Sequence, residues 1–83
     1  MSDEDRDSDT LARDYSAMGD SIALINAVIG GTAMADEEAA ERQACVDRNV
    51  EHLELMKAKT DWGSESMTST TSAITAGKAY TAE

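Results

Sequence analysis

Eighty-three residues with a formal net charge of −10 make one small acidic domain. That charge is repelled by phosphate backbones and anionic membranes, so direct binding to nucleic acid or membrane is not expected. One Cys and one His leave no internal disulfide and no structural zinc site.

Core material is scarce. Leu, Ile, Val and Phe together are 11 residues, whereas Ala alone supplies 14. A core of this size rarely contributes more than about 3–5 kcal/mol. Oligomerisation or docking on a larger partner is the expected remaining source of order. The acids are concentrated in two blocks, net −5 over residues 1–20 and net −4 over 36–61, with residues 62–83 at −1. A basic protein surface is the natural complement of those blocks.

Residues 1–9 read as an acidic tail, and residues 10–83 as a single small helical domain. Met1 is followed by acids, not by a basic and then an apolar stretch, so no secretory leader is expected. Asp9 or Thr10 is placed to cap a helix over about 10–29. Its large side chains recur at Leu11, Tyr15, Met18, Ile22, Ile25 and Ile29, a heptad seam. Leu24 and Val28 widen the apolar face. Gly19 weakens this helix, and Gly30-Gly31 stop it as a left-handed C-terminal cap. The apolar run from Ile22 to Ile29 is far shorter than the roughly 20 residues a membrane span needs.

A second helix is predicted over about 36–59. Asp36, Glu37 and Glu38 suit the positive end of its dipole, and Lys57 and Lys59 suit the negative end. Glu38 and Arg42 form an i,i+4 pair in the favourable orientation. Ala39, Val46, Val50, Leu53 and Met56 make a narrow apolar stripe, broken at Asp61-Trp62-Gly63. A third, shorter helix is predicted over about 64–79, capped by Ser64 or Ser66, with Met67, Ala73, Ile74, Ala76 and Gly77 on one side. The polar run Thr68–Ser72 is poor in helix formers and is expected to be wet or to face another chain. The fold class is therefore all-α: a helical hairpin plus a shorter third helix, preceded by the acidic tail.

Each candidate for chemistry fails on spacing. The alternation Asp3, Asp5, Asp7, Asp9, with Asp14 in the twelfth place, imitates a calcium loop. Ser8 stands where such a loop needs Gly, and no helix precedes it. Cys45 and His52 are seven apart on one helix, about 10.5 Å along its axis, beyond the roughly 3 Å a nucleophile and its base require. Glu51-His52-Leu53-Glu54 offers no second metal ligand, and Gly77-Lys78 lacks the glycine and the hydroxyl of a phosphate loop. No catalytic, cofactor-binding or metal-binding residue is predicted, and the chain is not expected to be an enzyme.

Trp62 remains, alone of its type at an inter-helix break, with Tyr80 near the end of the chain. Each is either a local packing anchor or a hot spot for a partner. The Leu11–Ile29 seam is likewise either intramolecular core or an intermolecular surface, because the second helix offers too narrow a stripe to cover it.

Asp36-Glu-Glu, Arg48-Asn-Val-Glu-His-Leu-Glu-Leu-Met, Ala58-Lys-Thr-Asp-Trp and Ala73-Ile-Thr-Ala-Gly-Lys-Ala-Tyr together resemble small proteins encoded among the structural genes of tailed bacteriophages. The resemblance spans about 36–80 and carries no catalytic motif; Thr68–Ser72 is more polar than its pattern. It implies a virion component: a capsid decoration, cement or tail-accessory subunit that docks helices on a larger capsid or tail protein. A homo-oligomer through Leu11–Ile29 is a second mode of association. The contact residues expected on this reading are Tyr15, Met18, Ile22, Ile25, Trp62 and Tyr80. The alternative is a free acidic adaptor or inhibitor covering a basic site on an enzyme, with residues 1–20 as its electrostatic guide.

Overall fold

Three helices form where the apolar spacing places them. The computed structural model describes residues 8–59, 62 and 67–83. They comprise α1 (Ser8–Gly30), α2 (Ala39–Lys57) and α3 (Thr68–Ala79). The protein is all-α, a helical hairpin with a shorter third helix, and extends 42 × 20 × 19 Å. At 1.5 Å per residue α1 alone spans about 35 Å, so it lies along the long axis. The side-chain contacts set their directions. Tyr15 meets Trp62 and Ser21 meets His52, which makes α1 and α2 antiparallel. Gly77 faces Val46 and Val50 of α2 and Ile25 of α1, so α3 lies against both.

The helix ends differ from expectation in instructive ways. α1 begins at Ser8, so Asp9 and Thr10 lie in its first turn and neither is the cap. The tail predicted over 1–9 falls outside the described residues as far as residue 7. The glycine stop at the other end is as expected. Gly31 takes φ 83°. Its N–H donates to the Val28 carbonyl (3.2 Å), and the Thr32 N–H donates to Ala27 (2.9 Å). Those two bonds define a Schellman cap and satisfy carbonyls that the helix leaves open.

α2 is shorter than predicted at both ends. Glu38 is its N-cap residue, so Asp36 and Glu37 belong to the preceding reversal and Glu41 is the acid of the first turn. The predicted Glu38–Arg42 pair is replaced by other partners. Arg42 Nε–H donates to the Glu37 carbonyl (3.2 Å), and the extended backbone of Glu38 (φ −61°, ψ 152°) marks the start of the helix. At the far end the Met56 carbonyl accepts from the Lys59 N–H (3.1 Å) and from the Trp62 indole N–H (3.0 Å). The regular helix ends at Lys57, with Ala58 as its C-cap residue. The caps predicted for α3 at Ser64 or Ser66 lie outside the described residues; as described, α3 starts at Thr68 after Met67.

The core is the inner face of all three helices. Met18, Ile25 and Val28 come from α1, Cys45, Val46, Val50, Leu53 and Met56 from α2, and Ala73 from α3, with Trp62 closing one end. The seam runs as predicted from Leu11 to Ile25 and then departs. Val28 is buried where Ile29 was expected, and Ile29 is left outside. The reversal after α1 packs the half-buried Ala33 and Met34 against the core. The polar start of α3 is only partly wet, because Thr70 is buried in the helix junction.

Gly19 sits exposed in the middle of α1, and a Cβ there would meet nothing within 4 Å. Gly19→Ala is therefore expected to stabilise the protein by about 0.8–1 kcal/mol, the helix-propensity difference. A urea titration should show a higher midpoint at unchanged slope.

Candidate interaction surface

The sequence nominated Tyr15, Met18, Ile22, Ile25, Trp62 and Tyr80 for contacts with a partner. Met18, Ile25 and Trp62 are buried in the chain's own core, and Tyr15, Ile22 and Tyr80 are half-buried against it. The structure thus brings Tyr15 and Trp62 together and turns the seam inward. Contacts through the three buried residues would require the helices to separate.

Trp62 is the anchor at the open end of the hairpin. Its indole binds the end of α2 through Met56. Its carbonyl accepts the Tyr15 hydroxyl proton at 2.7 Å. The two rings pack at a centroid distance of 4.7 Å and a tilt of 55°, in the range where aromatic pairs add stabilisation beyond buried area. A local anchor was one of the two expectations for Trp62, and the hydrogen bonds explain it. Midway along the hairpin, the buried Ser21 Oγ and exposed His52 Nδ1 share a hydrogen bond of 2.9 Å. This pair ties α1 to α2. Cys45 is buried on the inner face of α2, and Asn49 donates to its carbonyl at 2.7 Å. Among the described residues no group of three or more His, Cys, Asp or Glu could hold a metal ion. No described helix is long and apolar enough to cross a membrane.

Exposed large apolar side chains are Leu24 and Ile29 on α1 and Leu55 on the outer face of α2. Asp47, Glu51 and Glu54 are exposed there, and spacings of three and four residues put them along one side. Leu55 lies at the edge of that row, one turn from Glu51 and His52 and two turns from Arg48; it is 66% exposed, the most exposed large apolar side chain among the described residues. An exposed apolar group beside side chains of both charge signs is a candidate contact point for another protein. The neighbouring groove between α2 and α3 is lined by Glu54, Lys57, Ala58, Ile74 and Lys78. A 2.7 Å ion pair between Lys78 and Glu54 crosses it. Both partners are largely exposed, so the pair adds at most about 1 kcal/mol.

Sequence reasoning missed Arg42, Gln43 and Leu55. Arg42 and Gln43 bind the segment after α3, which local spacing does not show. Leu55 could have been found, since it falls opposite the Val46–Val50–Leu53 stripe at helical spacing. No family model, no curated protein and no solved structure matches the chain.

Proposed function

We propose that this chain is a minor structural protein of a tailed-phage particle, a capsid decoration, cement or tail-accessory subunit bound to a larger protein. The reading rests on the resemblance that residues 36–80 bear to small proteins of phage structural gene sets. The outer face of α2 supports it. That face offers the exposed Leu55 beside a row of Asp47, Glu51 and Glu54, and the whole chain carries −10, a balance suited to protein and opposed to nucleic acid. The deciding experiment is mass spectrometry of purified particles with copy-number quantification. Hundreds of copies place the chain on the shell, and about a dozen or fewer place it on the tail or portal. Absence from particles, with a well-folded monomer that never co-sediments with them, rejects the reading. Leu55→Glu tests the face itself. It should abolish co-sedimentation and leave the helical spectrum intact, because the side chain packs little within the chain.

The charge of −10 favours one other reading, a free acidic adaptor over a basic enzyme site. In that case the chain is absent from particles, and deleting residues 1–9 weakens partner binding strongly at low salt.

A further inference from the structure

Two neighbouring residues of α2 hold the segment that follows α3. Arg42 Nη1–H donates to the Tyr80 hydroxyl at 3.3 Å, and Nη2–H donates to the Glu83 main-chain oxygen at 2.6 Å. Gln43 Nε2–H donates to the Tyr80 carbonyl at 3.2 Å, and its Oε1 accepts the Ala82 N–H at 2.8 Å. Three of these four bonds engage main chain, and Tyr80 leaves α3 extended, with ψ 131°. The second Gln43 amide proton goes to Asp47, which holds the side chain in position.

The apolar hold on α3 is smaller than that within the hairpin. Its buried residues are Thr70, Ala73 and Gly77, none larger than Thr, and its one large apolar side chain, Ile74, is only half-buried against the core; Lys78 adds an exposed ion pair to Glu54. Six of its 12 residues are Ser or Thr, and a helix this short is marginal in water alone. The large side chains that Gly77 faces, Ile25, Val46 and Val50, belong to the hairpin. The hairpin also has ties of its own in Tyr15–Trp62 and Ser21–His52.

We propose that residues 80–83 are a strap: held by Arg42 and Gln43, they keep α3 on the hairpin, and their release lets α3 open as a unit while α1 and α2 stay paired. Opening uncovers Ile25, Val46 and Val50, apolar surface that the closed chain keeps inside. The proposal concerns the isolated chain and is independent of what it assembles with.

Native-state amide hydrogen exchange on the full chain tests it. In the wild type, α3 amides should exchange through an opening of lower energy and weaker denaturant dependence than the amides around Ile25 and Leu53. Arg42→Ala with Gln43→Ala should speed α3 exchange roughly 10- to 100-fold, as expected for losing several hydrogen bonds of modest net worth. Gln43→Glu, which keeps the acceptor for Ala82 and loses the donor to Tyr80, should give a smaller increase in the same amides. Ser21→Ala removes a bond present in both the closed and the opened state. It should speed hairpin exchange and leave α3 exchange unchanged. The proposal is overturned if α3 and hairpin amides share one opening energy and respond alike to Ser21→Ala. It is equally overturned if α3 exchange ignores the Arg42 and Gln43 substitutions.

Discussion

Gly77→Ala should lower the stability of the protein by about 1–3 kcal/mol, the usual cost of forcing an extra carbon into a packed core. Helix propensity alone predicts the opposite sign, since Ala is favoured over Gly by about 1 kcal/mol in a helix interior. Geometry decides the matter. A Cβ on Gly77 would overlap Val50 Cγ2, with Val46 Cγ1 at 3.4 Å and Ile25 Cγ2 at 3.7 Å behind it. Val50 has little freedom to give way, because a β-branched side chain in a helix holds essentially one rotamer. α3 must therefore move outward, withdrawing Ala73 and Thr70 from the junction as well. Urea denaturation followed by far-UV circular dichroism measures the loss. Val50→Ala in the same chain removes the obstructing methyl groups, so the double-mutant cycle should show a favourable coupling of about 1 kcal/mol or more. Additivity of the two substitutions would show that the contact is not the cause. The opposite sign expected at Gly19 supplies the internal control.

Trp62→Ala is the second large effect, expected at about 3–5 kcal/mol. Three things are lost together. The cavity left by the indole opens the end of the core, the Met56 carbonyl loses its second donor, and Tyr15 loses its ring partner. For a domain with so few large aliphatic residues, a loss of this size is comparable to its whole stability. The variant should therefore be substantially unfolded at 25 °C by circular dichroism. Trp62→Phe keeps an aromatic ring and loses the N–H, so it should cost less. Its residual cost includes roughly 1 kcal/mol for the missing hydrogen bond. A Trp62→Ala variant with native helix content and an unchanged urea midpoint would show that the anchor is dispensable.

Both effects arise at places where separate segments meet, and that is where sequence reading ran short. Helix number, order and polarity of faces were legible because they follow from local rules. The recurrence of Leu11, Tyr15, Met18, Ile22 and Ile25 is set by 3.6 residues per turn. The Gly30-Gly31 stop is set by the left-handed backbone that glycine tolerates, and Gly31 adopts it. Element ends were less legible, because side chains a turn or more away take up the end carbonyls in ways that spacing does not show. Arg42 donates to the Glu37 carbonyl just before α2, and the Trp62 indole donates to the Met56 carbonyl at its end. The candidate surface was legible only in its charge. Six side chains were nominated for contact because they are large and apolar. The same property drew Met18, Ile25 and Trp62 into the chain's own core.

By itself, then, the sequence determined an acidic three-helix chain with an apolar seam on the first helix and a glycine reversal after it. Those features depend on residues a few positions apart, whose relative placement the backbone geometry imposes. Only the tertiary structure decided what covers the seam. The narrow stripe of α2 cannot do it alone, and the gap is filled by α3, which approaches closely enough only because Gly77 has no side chain. It also decided that Arg42 and Gln43 hold residues 80–83, some 40 positions away, and that Leu55 remains outside. Such pairings depend on how whole helices pack, and no local spacing encodes them.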